Sequence, residues 1–206
     1  MPRTATREHR TGALPLEAAQ SGPIAKRGGP ARGRPSTAPE RYDIVARLFH
    51  WVFALAIIYA SIVGYSLARI ANRPVHDFLS RLNMSLATVL IVLFPLRVLW
   101  KFKRVDPRPI EGITDAQRKL AHGAHQALYL TIMAVLASGF LMVPHGYSFF
   151  GLLEVRTPFE KGPLTDALFL VHRISSAVLA GLAVLHVLAV CKHQLVNRNN
   201  VLRRML

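Results

Sequence analysis

The sequence predicts an all-α protein, a four-helix transmembrane bundle with a disordered N-terminal tail. Two observations carry this prediction. Hydrophobic residues make up 51% of the 206-residue chain, more than a soluble domain of this size usually contains. They are gathered into windows without Asp, Glu, Lys or Arg, and a helix that crosses a bilayer needs about 20 such mostly apolar residues. The four windows are residues 50–67, 82–96, 126–143 and 174–191.

The residues before the first window differ from the rest in composition. They are rich in Pro, Gly and Arg, as in "GGPARGRPSTAP", and show no apolar periodicity. Such a composition is typical of disordered segments. We therefore divide the chain into a disordered basic cytoplasmic tail, residues 1–40, and a four-helix transmembrane domain, residues 41–206. An organelle transit peptide is the alternative for the tail, and Glu8 and Glu17 weigh against it.

The second apolar window is the shortest of the four, and it contains Pro95. A proline inside a helix removes one backbone hydrogen bond, but transmembrane helices tolerate it where neighbouring groups repair the loss. We predict a helix over this window too, and a kink at Pro95 is compatible with it.

Basic residues indicate how the helices are oriented. The formal net charge is +15, and the basic segments are residues 1–49, 101–121 and 191–206. Four crossings place these segments on one side, which the positive-inside rule assigns to the cytoplasm. The sequence thus predicts a multi-pass protein of the inner (plasma) membrane with both termini cytoplasmic. Membrane lipid is an expected partner, and nucleic acid is not, because topology explains the charge.

Histidines recur near the ends of the predicted helices. His50 opens the first helix and His125 the third, whereas His172 and His186 bracket the fourth. A separation of fourteen residues puts the last two imidazoles roughly 40° apart in azimuth and about 21 Å apart in height. One helix face with two such levels suits two stacked b-type haems, each iron with one imidazole from this helix and one from another. At the inner level His50, His125 and His186 converge.

Two other interpretations of these histidines stay open. An isolated imidazole in an apolar helix can be a structural group that hydrogen-bonds a neighbour, although ionisable groups in membrane helices are usually functional. Zinc is the second alternative, since His122 and His125 have a short ligand spacing. The single cysteine, Cys191, allows neither an intrachain disulfide nor a cysteine-based metal cluster.

From about residue 41 to residue 206 the sequence resembles the bacterial cytochrome b561 family, which is related to the cytochrome b subunits of nickel hydrogenases and formate dehydrogenases. The resemblance rests on the order and spacing of several motifs. They are "RLFHW" in the first helix, "LNMSLATVLIVLFPLRVLWK" in the second, "AHGAHQALYL" in the third, the two histidines of the fourth, and "NNVLRRML" at the end.

The resemblance implies two b haems, one between the first and fourth helices and one between the second and fourth. His50 and His186 would ligate the inner haem, and His172 would ligate the outer one. His125 would lie near the inner haem, on a propionate or a quinone. Arg97 would pair with a propionate, and a snorkelling interfacial arginine is the alternative for it.

The outer site departs from the family pattern. The family has a motif similar to "LHMSLG" at the start of the second helix, and this chain has "LNMSLA", with Asn83 where the ligand histidine is expected. An amide is a poor iron ligand beside imidazole. We therefore expect one haem b at the cytoplasmic level. The outer haem is either absent or held by His172 alone, unless His76 or Met84 supplies a second ligand.

The resemblance also implies a function, a membrane b-type cytochrome that transfers electrons between a donor and the quinone pool. His125, Lys192 and His193 would lie near the quinone, and no residue is predicted to act as a catalytic acid, base or nucleophile. One alternative is a superoxide-to-ubiquinone oxidoreductase. Another is a membrane anchor or assembly subunit with structural or lost haem, which docks a redox partner protein through its basic tail.

Overall fold

The computed structural model describes residues 39–109, 112–196 and 198–206. Four long α-helices account for most of these residues, and each is long and apolar enough to cross a membrane. The predicted four-helix transmembrane bundle is therefore confirmed. Except for residues 39 and 40, the predicted tail lies outside the described residues. The helices are α1, Ile44–Ser66; α2, Arg73–Lys103; α3, Asp115–Leu141; and α4, Pro163–Cys191.

Polar residues start three of the helices, where free backbone N–H groups need acceptors. Asp43 accepts a hydrogen bond from the Ala46 N–H at 2.9 Å at the start of α1. Asn72 caps α2 in the same way, and Thr114 forms a capping box with Gln117 at the start of α3. Because the caps lie in the polar flanks, the helices extend beyond the charge-free windows.

The longest helix is α2, which runs without a break through Pro95. Its 31 residues correspond to a length of about 46 Å, more than the roughly 30 Å hydrocarbon core of a bilayer. The prediction of a helix over the second window is confirmed, and the helix is twice as long as the window. Arg73, Asp77 and Arg81 lie in its first turns, where the helix extends past the apolar window.

Short elements connect the helices. A 3₁₀ turn, Leu67–Arg69, follows α1, and a π-helical turn, Lys192–Val196, extends α4. Between α3 and α4, strands β1, Tyr147–Phe149, and β2, Leu153–Val155, form an antiparallel hairpin. The sequence pattern does not predict this hairpin, since three-residue strands are too short to show a period-two alternation.

The two ends of the bundle are closed differently. At one end, which we call the termini end, the segments before α1, after α2 and after α4 are hydrogen-bonded together. The Tyr42 N–H donates to the Arg204 carbonyl at 3.2 Å, and the Arg108 N–H donates to the Pro39 carbonyl at 3.0 Å. At the other end, the hairpin end, the β1–β2 hairpin packs on α2. The closing segments of the termini end are residues 39–43, 104–109 and 201–206.

A small apolar core joins all four helices near mid-length. Most other large apolar side chains on the helices are exposed. Exposed apolar surface is unfavourable in water, by about 25 cal/mol per Å², but lipid tails are as apolar as the side chains that they cover. The exterior of the bundle therefore suits contact with membrane lipid. The core consists of Phe53, Leu90, Ile132, Leu136 and Leu179.

Candidate functional site

Three histidines from three helices meet at the termini end. The ring centroids of His50 on α1 and His186 on α4 are 6.3 Å apart, and those of His125 on α3 and His186 are 5.5 Å apart. His50 also packs edge-on against Trp51, whose indole N–H donates to the carbonyl of Met205 at 2.8 Å. The structure thus brings together the three histidines that the sequence assigned to one level and ties them to a closing segment.

The separation of His50 and His186 suits two axial ligands of one metal. A metal–imidazole bond is about 2.0–2.1 Å long, so imidazoles on opposite sides of one ion have centroids about 6 Å apart. The helices that carry the two rings contact each other at few points, whereas α3 packs closely along α4. A planar group held between two histidines keeps their helices apart. The sparse contact between α1 and α4 agrees with this arrangement. His50 and His186 could therefore hold a haem iron.

His125 is held by its own helix beside this pair. Its Nδ1 lies 2.8 Å from the carbonyl oxygen of Ala121. Because a carbonyl can only accept, Nδ1 carries the proton and donates, and Nε2 keeps its lone pair. The ring stands edge-on to His186. His125 can therefore accept a hydrogen bond or bind a metal through Nε2.

Arg97 of α2 borders the histidine cluster. Its guanidinium donates to the carbonyl of Phe49 at 2.8 Å and, through Nε, to the hydroxyl of Tyr129 at 3.2 Å. It also lies over the ring of Phe53, 4.9 Å from the centroid. Arginine carries five N–H donors, and the bonds to Phe49 and Tyr129 do not use all of them. The remaining donors of Arg97 can bind an anion close to His50, the residue after Phe49.

Sequence reasoning missed two residues of this cleft, Tyr129 and Lys101. The Lys101 ammonium lies 4.6 Å from the centre of the Tyr129 ring, and both line one small cavity with His50 and Arg97. Tyr129 follows His125 by four residues, a spacing that places both on one face of α3. That spacing was the available signal. The cleft is therefore lined by cationic side chains, Arg97, Lys101 and Arg104, next to the imidazole of His50.

Asp43 anchors the adjoining helix ends. Its carboxylate accepts hydrogen bonds from the Ala46 N–H and from the Trp100 indole N–H, each at 2.9 Å. Burial raises the pKa of Asp43, but these hydrogen bonds stabilise the ionised form and hold the pKa below its ordinary value of 3.8. The side chain thus joins the start of α1 to the end of α2 in its charged form.

His172 lies away from this cluster, in the hairpin half of α4. Its Nδ1 is 3.0 Å from the carbonyl oxygen of Val135 on α3 and 3.5 Å from the Ser138 hydroxyl. The ring lies against Gly139, where an added Cβ would stand 2.9 Å from the His172 Cε1 atom. Metal-ligating histidines commonly donate the other ring N–H to a backbone carbonyl. A structural histidine would make the same bond.

The three residues of α2 considered for the outer level differ in their surroundings. Asn83 has a buried side-chain oxygen, Oδ1, without a hydrogen-bond partner among the described residues. His76 lies seven residues earlier and contacts the carboxylate of Asp77 at 3.0 Å. Met84 follows Asn83 directly, and on an α-helix its side chain points about 100° away from the direction of the Asn83 side chain.

The zinc alternative lacks support in the part of the chain that the structure describes. There, no group of three or more His, Cys, Asp or Glu side chains is arranged to hold a metal ion, whereas structural zinc needs four close ligands. Haem requires only axial ligands from the protein.

Lys192 and His193 lie in the π-helical turn after α4, so the α-helical spacing from His186 does not extend to them.

A bundle of four membrane-spanning helices that brings imidazoles from separate helices together is the architecture of a membrane b-type cytochrome, a class that transfers electrons. The family model for prokaryotic cytochrome b561 matches residues 41–206. The chain belongs to the prokaryotic cytochrome b561 family.

Two relatives are similar along most of this chain. "Cytochrome b561 homolog 2" of Escherichia coli (strain K12) is 26% identical over 176 residues, which cover 83% of this chain and 94% of that protein. "Probable superoxide oxidase CybB" of Yersinia pestis is 25% identical over 170 residues, which cover 81% and 96%. The predicted family is confirmed, and it implies haem b as the cofactor and the membrane as the location.

Proposed function

We propose that this protein passes electrons between a donor and the quinone pool by means of haem b bound at the termini end. One observation carries the proposal. The imidazoles of His50 and His186 lie 6.3 Å apart on two helices that contact each other at few points. When bound, haem b supplies a one-electron couple between ferrous and ferric iron.

His50 and His186 would hold the haem iron in this proposal. Two imidazole ligands on one iron would suit electron transfer rather than activation of a small molecule. The contact of His50 with Trp51, and the bond from Trp51 to Met205, fix the surroundings of the first ring.

Arg97 and Lys101 would bind the anionic edge of the cofactor. The Arg97 donors left over by Phe49 and Tyr129 suit a haem propionate, because guanidinium recognises carboxylates with paired N–H groups. Tyr129 orients Arg97 and also lies beneath the Lys101 ammonium. Positive charge at this position favours the reduced iron, so these residues raise the reduction potential.

His125 serves the quinone or a propionate through Nε2. Its other ring nitrogen is bonded to Ala121, so Nε2 is left as an acceptor or, when protonated, as a donor. Lys192 and His193 lie further toward the membrane surface, where a quinone head group would approach. In this proposal the termini end faces the cytoplasm, as the positive-inside rule predicts from its basic segments.

Oxidation of superoxide with ubiquinone as acceptor is a second candidate. The name of the Yersinia pestis relative favours it. A donor that arrives from the hairpin end would use a redox site at that end, and His172 is the imidazole available there. Superoxide consumption that depends on His172 would support this candidate over a generic quinone-linked carrier.

The experiment that tests the proposal uses the full chain purified in detergent. Expected results are the paired visible bands of low-spin haem b on reduction and reoxidation of the haem by ubiquinone. His193→Ala should slow that reoxidation and leave the absorption spectrum unchanged. Protein without haem would refute the proposal and favour the anchor alternative. Haem that quinol does not reduce and that quinone does not reoxidise would refute the quinone as partner.

A further inference from the structure

The first part of the connection between α3 and α4 continues the apolar sequence of α3. Between Lys119 and Glu154 the chain contains no Asp, Glu, Lys or Arg, although α3 ends at Leu141. This stretch is longer than the about 20 residues that one membrane crossing needs, and it includes β1 and the turn of the hairpin. Charged residues begin only at Glu154, in β2. The uncharged sequence thus extends past the helix into the hairpin.

Two hydroxyl groups of α2 set the depth of the hairpin. The Phe150 N–H donates to the Ser85 hydroxyl at 2.8 Å, and the Tyr147 hydroxyl is bonded to that of Thr88. Ser85 is fully buried and precedes the core residue Leu90 by five residues, or about 7 Å along the helix. Half of the hydrocarbon layer of a bilayer is about 15 Å thick. Because the apolar core lies near the middle of the helices, the turn of the hairpin lies at the depth of the hydrocarbon layer.

The backbone of the hairpin suits this depth. Backbone polar groups that lie within the hydrocarbon layer need partners in the protein, because water is absent there. All three residues of β1 are paired with β2. In the turn, the Leu152 N–H donates to the Phe149 carbonyl at 2.9 Å, and the Phe150 N–H donates to Ser85. These bonds satisfy both N–H groups without water.

The side chains of the turn also indicate an apolar environment. Phe150 and Gly151 have φ angles of 50° and 75°, a conformation for which hairpin turns usually have Asn-Gly or Asp-Gly. A phenylalanine therefore stands where a turn in water usually has a polar residue. Phe150 is 45% exposed, Leu152 80% and Leu153 66%. These three side chains form an exposed apolar patch, which we call the hairpin tip.

We propose that the hairpin tip inserts into the leaflet at the hairpin end of the bundle and contacts the acyl chains of the lipids there. Ser85 and Thr88 hold it at that depth. In water the exposed tip would be unfavourable by about 25 cal/mol per Å² of apolar surface, and acyl chains remove this cost. The hairpin is then a re-entrant element of the membrane domain. This inference goes beyond the proposed function and does not depend on a bound haem.

A nitroxide label measures the depth of the tip. Leu152→Cys is labelled in a full-length chain that also carries Cys191→Ser, which removes the single native cysteine, and the protein is reconstituted into phosphatidylcholine vesicles. Molecular oxygen concentrates in the hydrocarbon layer, whereas a water-soluble nickel chelate stays outside it. We expect the label to collide several times more often with oxygen than with the chelate.

Two labelled positions serve as references for this measurement. Leu185→Cys lies in the fourth charge-free window and replaces a side chain that is 63% exposed, so its label should report lipid. Glu160→Cys replaces an exposed charged residue after β2, and its label should collide mainly with the nickel chelate. The label at position 152 should resemble the first reference and differ from the second.

Ser85→Ala tests what holds the tip in place. The variant removes the acceptor of the Phe150 N–H, so we expect the label at position 152 to collide several times more often with the nickel chelate. The label at position 185 should keep its values, which separates a displaced hairpin from misfolding. Ser175→Ala is the matched control, because the Ser175 hydroxyl donates within its own helix, to the His172 carbonyl. A label unmoved by Ser85→Ala would overturn the role of Ser85.

Two other outcomes would overturn the lipid contact itself. A label at position 152 that collides mainly with the nickel chelate, as at position 160, would place the tip in water. A label that neither oxygen nor the chelate reaches would show that a second copy of the chain or another protein covers the tip. Neither outcome bears on the proposed function, which His186→Ala and the haem content test separately.

Discussion

The termini end and the hairpin end are built from the same four helices, yet they place their histidines differently. At the termini end His186 faces His50 across two sparsely touching helices. In the hairpin half His172 is bonded to α3. α4 contributes one imidazole to each half, and the neighbouring helices decide whether other imidazoles meet it. The difference teaches that a histidine on the right face of α4 forms a cluster only where α1 and α3 also supply one.

The largest effect is expected at the termini end. His186→Ala removes one of the two facing imidazoles, and because one ligand holds iron less firmly than two, we expect loss of most of the low-spin haem. The haem content of the purified protein, measured by pyridine haemochrome, and its visible spectrum check this. His122→Ala is the control, since His122 is an exposed histidine of α3. Low-spin haem retained at wild-type content in His186→Ala would show that the facing pair is not the ligand pair.

The corresponding test of the hairpin half is Gly139→Val. Its β-carbon would meet the ring of His172 and force the imidazole away from the Val135 carbonyl. We expect lower thermal stability in detergent, because the bond from His172 to Val135 is lost, with an unchanged low-spin spectrum from the termini end. Gly64→Ala is the control, because a Cβ at Gly64 meets nothing within 4 Å. A low-spin spectrum altered by Gly139→Val would mean that the two halves are not independent.

A smaller effect is expected from Arg97→Gln. Loss of a unit charge near the iron favours the ferric state and should lower the midpoint potential of the low-spin haem, on the order of 50 mV. A redox titration followed in the visible range measures this. Arg118→Gln at the exposed start of α3 is the control and should leave the potential unchanged. A potential unaffected by Arg97→Gln would support the alternative in which Arg97 is only an interfacial arginine.

The smallest effect is expected from Asp43→Ala, which removes a helix cap but no proposed ligand. Loss of such a cap costs about 0.5–2 kcal/mol, measurable as reduced thermal stability in detergent. Because the pKa of Asp43 is lowered in the folded protein, its ionised form contributes stability above the ordinary value of 3.8. That contribution is lost as the pH falls through the folded pKa. The difference from wild type should therefore shrink under acid conditions, and a difference independent of pH would contradict this.

Much of the fold could be predicted, because long windows without charged residues indicate membrane helices. The caps Asp43 and Thr114 lie outside those windows, so helix bounds were less certain than helix number. The β1–β2 hairpin was missed for another reason. Its contacts with Ser85 and Thr88 join residues about sixty positions apart, and no local pattern encodes such a pairing.

The candidate site could be predicted in part. Helical periodicity indicated that His172 and His186 share a face, and helix direction indicated that His50 and His125 lie near His186. Periodicity gives no information about which neighbouring helix a side chain meets. The bond from His172 to Val135 and the contact of Lys101 with Tyr129 depend on interhelical packing, so only the structure reveals them.

The closing segments have a consequence for how the protein is made. Tyr42 precedes the first helix, and its hydrogen-bond partner Arg204 follows the fourth. In the same way, Trp51 of the first helix is bonded to Met205. Chains emerge from the ribosome N-terminus first. His50 therefore enters the bilayer before His186, the ring that it faces, which follows only with the fourth helix. If His50 and His186 hold the cofactor as proposed, it can bind only after the fourth helix has been made, and nascent chains arrested before residue 186 should contain none.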